Sequence, residues 1–71
     1  MPTVRITGNN RNVTQEEWLG APAVDDKGHI ERTLKIPEEA YQRIEEGIAR
    51  GFIEGKVSLA GGVRFSWFLD R

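Results

Sequence analysis

The stretch FIEGKVSLAGGVRFSWFLDR, residues 52–71, decides the fold, because it holds two runs of alternating side chains joined by a glycine turn. Neighbouring side chains of a strand point to opposite faces, so each run suits a half-buried strand. The turn Ala60-Gly61-Gly62 suits a three-residue hairpin loop with a bulge. We therefore predict a C-terminal β-hairpin with strands 52–59 and 63–69.

The loop length also predicts the register of this hairpin. A two-residue loop mixes apolar and polar side chains on each face, whereas a three-residue loop collects nearly all large apolar side chains on one face. The pairs predicted by the longer loop are Leu59 with Val63, Val57 with Phe65, Gly55 with Trp67 and Ile53 with Leu69. Gly55 then leaves room for an indole ring to lie across its strand.

The other face of the hairpin carries two aromatic side chains, Phe52 and Phe68. Either Trp18 and Leu19 cover the two rings as a second small core, or the rings are exposed. An exposed aromatic pair beside cationic side chains has the composition of a protein contact surface. The surroundings of these two rings therefore decide how the hairpin is interpreted.

The stretch PEEAYQRIEEGIAR, residues 37–50, predicts the main helix. Proline suits the first helical position, and Gly51 suits the C-terminal cap. Apolar or small side chains fall on one stripe, namely Ala40, Tyr41, Ile44, Gly47 and Ile48. This stripe predicts a helix that packs closely on a sheet.

The N-terminal half predicts shorter elements. TVRIT, residues 3–7, alternates like a strand, and TQEE, residues 14–17, fits a capping box that opens a helical turn near 14–19. After a DDKG turn, HIERTLKI, residues 29–36, alternates like a strand with Arg32 on its apolar side. The stem of Arg32 either packs while its guanidinium reaches solvent or a carboxylate, or the residue is a recessed anchor for a partner's carboxylate or phosphate.

These elements predict the α+β class: one small domain, residues 1–71, with an antiparallel sheet of about four strands packed on one main helix, a short helical turn near 14–19 and a C-terminal hairpin. Either strand 3–7 or strand 63–69 is expected at an edge of the sheet, open to sheet extension.

Composition argues against several kinds of chemistry. The absence of cysteine excludes disulfides, thiolate zinc sites and thiol catalysis. Asp25, Asp26 and His29 form the one conceivable metal cluster, but they lack the ligand number of known zinc or calcium patterns. We predict no catalytic residue, metal or cofactor. No apolar run approaches a membrane span, so we expect a soluble, cytoplasmic protein.

Charge is evenly mixed, with ten Lys and Arg against eleven Asp and Glu, and neither half of the chain is basic. Such a chain lacks the electrostatic footprint of a phosphate-binding surface. We therefore predict a small non-enzymatic protein-binding module of inhibitor, adaptor or accessory-subunit type. The sequence leaves open whether it is a monomer or a homodimer. Its expected contact residues are Phe52, Lys56, Arg64, Phe68 and Arg32. The alternative is a nucleic-acid-binding regulator that uses Arg5, Arg11, Arg32 and Arg64.

One resemblance supports that alternative. TLKIPEEAYQRI followed by GKVSL resembles the AbrB and MazE type of swapped-hairpin DNA-binding domain, in which a strand ending in Ile-Pro leads into a helix and a second hairpin. The likeness extends over residues 28–69 at most. The spacing from Gly28 to Pro37 is longer than in that family, and the helix is longer and more acidic. The resemblance implies a DNA-binding dimer, which we keep as an alternative without assigning the family.

Overall fold

The C-terminal hairpin forms one half of a four-stranded antiparallel sheet. The computed structural model describes residues 2–10 and 17–70. Its elements are β1 (Thr3–Asn10), β2 (Glu17–Gly20), α1 (Glu38–Ala49), β3 (Glu54–Ser58), a 3-10 turn (Ala60–Gly62) and β4 (Val63–Asp70). The predicted α+β class, with one main helix on an antiparallel sheet, is confirmed.

The strand order is β2-β1-β4-β3, so the first and last strands of the chain are neighbours in the centre of the sheet. They pair along their whole length, from Thr3 with Asp70 to Asn10 with Val63. The prediction that one of these two strands lies at an edge is therefore wrong. The edges are β2 and β3.

The predicted register of the hairpin is confirmed. Gly55 pairs with Trp67 and Val57 with Phe65, and the amide of Leu59 donates to the carbonyl of Val63 at 2.8 Å. The indole of Trp67 lies across Gly55, where an added Cβ would come within 2.7 Å of the indole nitrogen. The indole ring of Trp67 thus fills the space that Gly55 leaves, as predicted.

The predicted helix is also confirmed, one residue shorter at each end: Pro37 is its N-cap and not its first helical residue, and Arg50 is its C-cap. The amide of Gly51 donates to Ile48 and that of Phe52 to Gly47, each at 3.0 Å, which is the Schellman pattern of a glycine-terminated helix. The predicted stripe faces the sheet. The buried core comprises Val4, Ile6, Val24, Ile30, Ala40, Tyr41, Ile44, Val57, Phe65, Trp67 and Leu69.

The predicted helical turn near 14–19 is wrong over the residues that the structure describes. Residues 11–16 lie outside the described ranges, and residues 17–20 form β2, which pairs with β1. The side chain of Leu19 packs beside Gly8 on the core side, where an added Cβ would lie 3.1 Å from it. Trp18 points the other way. Pairing with a central strand outweighs the local capping signal, because a single helical turn is weakly stable alone.

The predicted strand over 29–36 is wrong as well. The DDKG turn is present, and Val24 bridges Ile30 beyond it, but the chain then leaves the sheet. Side chains of α1 replace a strand partner: the hydroxyl of Tyr41 accepts from the amide of Leu34 at 2.9 Å and donates to its carbonyl at 2.7 Å. The carboxylate of Glu45 accepts from the amide of Ile30 at 2.7 Å. With these groups satisfied, no sheet ladder is needed.

Candidate functional site

Helix α1 lies on one face of the sheet, and of the elements that the structure describes none lies on the opposite face. Alternation along the strands defines this second surface, which we call the outer face. It carries Arg5, Thr7, Trp18, Glu54, Lys56, Ser58, Arg64, Ser66, Phe68 and Asp70. Side chains of all four strands therefore meet on one uncovered surface.

Strand register arranges this surface in rows. Phe68 stands between Arg5 on β1 and Glu54 on β3, because it pairs with both. The next row starts at Trp18 on β2 and runs through Thr7 and Ser66 to Lys56 on β3. A shallow depression of about 670 Å³ lies on this surface, and both Trp18 and Phe68 line it. The two aromatic rings therefore flank one concave surface.

Both rings are accessible, since Trp18 is 56% exposed and Phe68 is 46% exposed. The interpretation in which Trp18 and Leu19 build a second core over Phe52 and Phe68 is therefore wrong. Arg5 stands between the two rings. Its guanidinium carbon is 6.0 Å from the centre of the Trp18 ring, and its Nη2 is 3.1 Å from the carboxylate of Asp70. This ion pair holds a cation beside the aromatic surface.

Two further cations lie on the outer face. Lys56 is in the Trp18 row, and Arg64 follows one row on, paired with Ser58. Both are exposed. Within residues 2–10 and 17–70, neither forms an ion pair with a carboxylate, whereas Arg5, Arg32, Arg43 and Arg50 all do. The outer face thus offers two cations to an incoming anionic group.

Phe52 does not share this surface, although the sequence placed it beside Phe68. The Schellman turn holds its backbone against the C-terminal end of α1. It is 58% exposed and lines a separate groove between α1 and β3, together with Arg43 and Arg50. The two phenylalanines therefore belong to different surfaces.

Arg32 is occupied within the chain. Its guanidinium meets the carboxylates of Glu38 and Glu45, each at 2.7 Å, lies 4.4 Å from the centre of the Tyr41 ring and donates to the carbonyl of Ile30. The first of the two interpretations, a guanidinium that meets carboxylates, describes this geometry. We leave Arg32 out of the contact surface.

The pairing of Arg32 also shifts pKa values. Hydrogen bonds from Glu45 and then Glu38 raise the pKa of the Arg32 guanidinium above its ordinary value. Burial raises the pKa of Glu45, but the hydrogen bonds from Arg32 and from the Ile30 amide outweigh it, so the net pKa lies below its ordinary value. Both shifts favour the charged pair.

Asp25, a residue of the conceivable metal cluster, has a structural role in the DDKG turn. Asp25 accepts hydrogen bonds from the amides of His29 and Lys27 at 2.8 and 2.9 Å. The bond from His29 and then that from Lys27 lower the pKa of Asp25, so its carboxylate stabilises the turn. In the described part of the chain, no three His, Asp or Glu side chains come together as a metal site. Arg11, a residue of the nucleic-acid alternative, lies outside the described residues.

Trp18 is an exposed residue of the outer face that the sequence analysis does not include among the expected contact residues, because the capping signal predicts a helical turn there. The alternation of Trp18 and Leu19 is the signal that predicts opposite faces once the segment is taken as a strand.

No family model, curated protein or solved structure matches this chain. Within the described residues, no helix has the length and apolar character needed to cross a membrane.

Proposed function

We propose that the protein is a non-enzymatic binding module that holds another protein against its outer face. The observation that carries this proposal is the pair of half-exposed rings, Trp18 and Phe68, on a sheet face that no described helix covers. Large aromatic side chains are the commonest energetic anchors of protein interfaces, and an uncovered aromatic patch on a small domain is typical of a contact site. An inhibitor, adaptor or accessory subunit of the cytoplasm acts in this way.

The geometry also supports a particular kind of partner. The depression between the two rings is lined by aromatic side chains and by Lys56. Arg64 lies one row further along the outer face, and both cations are exposed. A complementary protein surface therefore presents an apolar side chain with carboxylates next to it. Rim charges of this sort mainly set the association rate and make it sensitive to salt.

The alternative function is the binding of single-stranded nucleic acid. An open four-stranded sheet with exposed aromatic rings favours it, since bases stack on such rings. The charges favour it only weakly: Arg5 is neutralised by Asp70, and Glu54 stands in the same row as Phe68. Lys56 and Arg64 are then the two cations of this face that could meet phosphates. A phosphate backbone would meet two acidic side chains on this face. We therefore rank nucleic acid second.

The proposal is tested by capture from extract of the source cells with immobilised protein, comparing wild type with the double variant W18A/F68A. The matched control is F52A, which removes an equally exposed ring from the other groove. We expect F52A to capture as much partner protein as wild type. We expect W18A/F68A to capture at least about tenfold less, since each anchor contributes more than about 1 kcal/mol to binding. Purified partner and titration calorimetry then give the affinity ratio.

Equal capture by wild type and W18A/F68A contradicts the proposal. A fluorescent single-stranded oligonucleotide is titrated in parallel at several salt concentrations. Tight binding with a steep loss on added salt, abolished in W18A/F68A, would establish the nucleic-acid function instead.

A further inference from the structure

Among the strands that the structure describes, β3 forms an open edge of the sheet. The hydrogen bonds at its two ends determine which of its backbone groups point outward. The amide of Leu59 donates to Val63, and the carbonyl of Ile53 accepts from Leu69. Hydrogen-bonded and non-hydrogen-bonded pairs alternate in an antiparallel ladder, so odd-numbered residues bond to β4. The amides and carbonyls of Glu54, Lys56 and Ser58 consequently point away from the sheet, toward the open edge.

An open edge is a template for another strand, and its side chains determine which strand fits. A lysine alone on an edge discourages pairing. Here Lys56 is two residues from Glu54, and both lie on the same face. Antiparallel pairing of this segment with itself can therefore place each lysine opposite a glutamate.

We propose that a second copy of this chain pairs with β3 in antiparallel orientation, with Glu54 opposite Lys56 of the partner subunit and Gly55 opposite Gly55 of the partner subunit. This register joins the residues whose backbone groups point outward. It produces two hydrogen-bonded pairs, each with opposite charges, around a two-fold axis.

The neighbouring registers place like charges opposite each other. Moving the axis to Lys56 sets the two lysines opposite each other, and moving it to Glu54 does the same with the two glutamates. Like charges directly opposite destabilise a strand pair. Of the three registers centred on Glu54, Gly55 and Lys56, the charge pattern of β3 thus favours the one centred on Gly55.

Apolar exposure at the start of β3 supports the same occupant. Ile53 directly precedes β3 and accepts a hydrogen bond from the amide of Leu69, which extends the register of the hairpin, and it is 56% exposed. In the proposed register it lies opposite Val57 of the partner subunit, and the groove of about 360 Å³ between α1 and β3 faces the second copy. The result is a continuous eight-stranded sheet whose two outer faces lie on the same side. The inference does not rest on the proposed function.

The test is the mass in solution, measured by sedimentation equilibrium from micromolar to millimolar concentration. The chain has a mass of 8.0 kDa, and we expect the wild type to reach twice that mass. E54K and K56E each turn both cross-strand pairs into like-charge pairs, so each variant should raise the dimer dissociation constant by about tenfold or more. E31K and K35E, which change exposed charges away from the edge, are the matched controls and should dimerise like wild type.

Mixing E54K with K56E restores opposite charges at both pairs, so a one-to-one heterodimer should form where neither variant dimerises alone. Hydrogen exchange gives a second readout: the amides of Glu54 and Lys56 should become protected as concentration rises. A wild type that stays monomeric at millimolar concentration, or a mixture of the two variants that stays monomeric, overturns the proposal. A dimer that persists unchanged in both single variants overturns it too.

Discussion

The two tryptophans lie on opposite faces of the same sheet, and their surroundings differ completely. Trp67 on the helix side is 5% exposed, whereas Trp18 on the outer face is 56% exposed. Trp67 is flanked by two glycines: a Cβ at Gly47 of α1 or at Gly55 of β3 would come within 2.7 Å of its ring. Trp18 has a polar row of Thr7, Ser66 and Lys56 beside it instead.

This difference shows how the chain divides its large side chains between a buried face and an exposed face of the sheet. Burial of a tryptophan needs small residues opposite it, and the chain supplies glycine at both required positions on the helix side. On the outer face, long or polar side chains flank the ring, and no described element covers it. The helix side is therefore the structural face, and the outer face is available for binding.

The largest expected effect comes from removing each ring in turn. Trp67→Ala should lower the free energy of unfolding by about 3–5 kcal/mol, the usual cost of deleting a large buried aromatic side chain. Trp18→Ala should change it by less than about 0.5 kcal/mol. Urea denaturation followed by far-ultraviolet circular dichroism measures both. Equal losses in the two variants would mean that the outer face is packed.

A smaller effect is expected where α1 approaches Trp67. Gly47→Ala should destabilise the protein by about 1–3 kcal/mol through overpacking, although alanine favours a helix by about 1 kcal/mol over glycine. Gln42→Ala, at an exposed position of α1, is the control and should stay within about 0.5 kcal/mol of wild type. A Gly47→Ala variant more stable than wild type would contradict the close contact with the ring.

The smallest effects are expected when one carboxylate of an ion pair is removed, on the helix side or on the outer face. The pKa of Glu45 is lowered in the folded state, so its contribution to stability is complete above its ordinary value of 4.5 and is lost as the pH falls through the lowered pKa. Glu45→Gln should lower stability at pH 7 by about 1 kcal/mol and flatten the dependence of stability on pH under acidic conditions.

Asp70→Asn is the matched control for Glu45, because it removes the exposed carboxylate that pairs with Arg5 on the outer face. Exposed ion pairs contribute little, so stability at pH 7 should fall by less than about 0.5 kcal/mol. Urea titrations at neutral and acidic pH compare the two variants. A larger loss for Asp70→Asn than for Glu45→Gln would reverse the assignment of the two faces.

The parts of the fold that the sequence predicts are those with strong local signals. Gly61 and Gly62, at φ of 80° and 77°, fix the hairpin loop and with it the register. The helix follows from its stripe and from Gly51. The segment 29–36 has an equally clear alternation and is still no strand, because Tyr41 and Glu45 bond its backbone from the helix. Helix side chains that take over the hydrogen bonds of a neighbouring strand leave no periodic pattern in the sequence.

The sequence predicts only those residues of the candidate site whose positions follow from a strong local signal. Phe68, Lys56 and Arg64 follow from the hairpin register, which the sequence predicts. The position of Trp18 on the outer face depends on the pairing of β2 with β1. The short sequence of β2 also fits a helical turn, so it does not predict this pairing. Phe52 depends on the Schellman turn, which moves it out of the strand pattern.

The central pairing of β1 with β4 has a consequence for how the protein folds. Arg5 and Asp70, which meet at this pairing, are 65 residues apart in the chain, whereas Leu34 bonds Tyr41 only 7 residues away. Closing a long loop costs chain entropy before its contacts form. We therefore expect the helix with its bound segment and the β3–β4 hairpin to form first, and the insertion of β1 beside β4 to limit the folding rate.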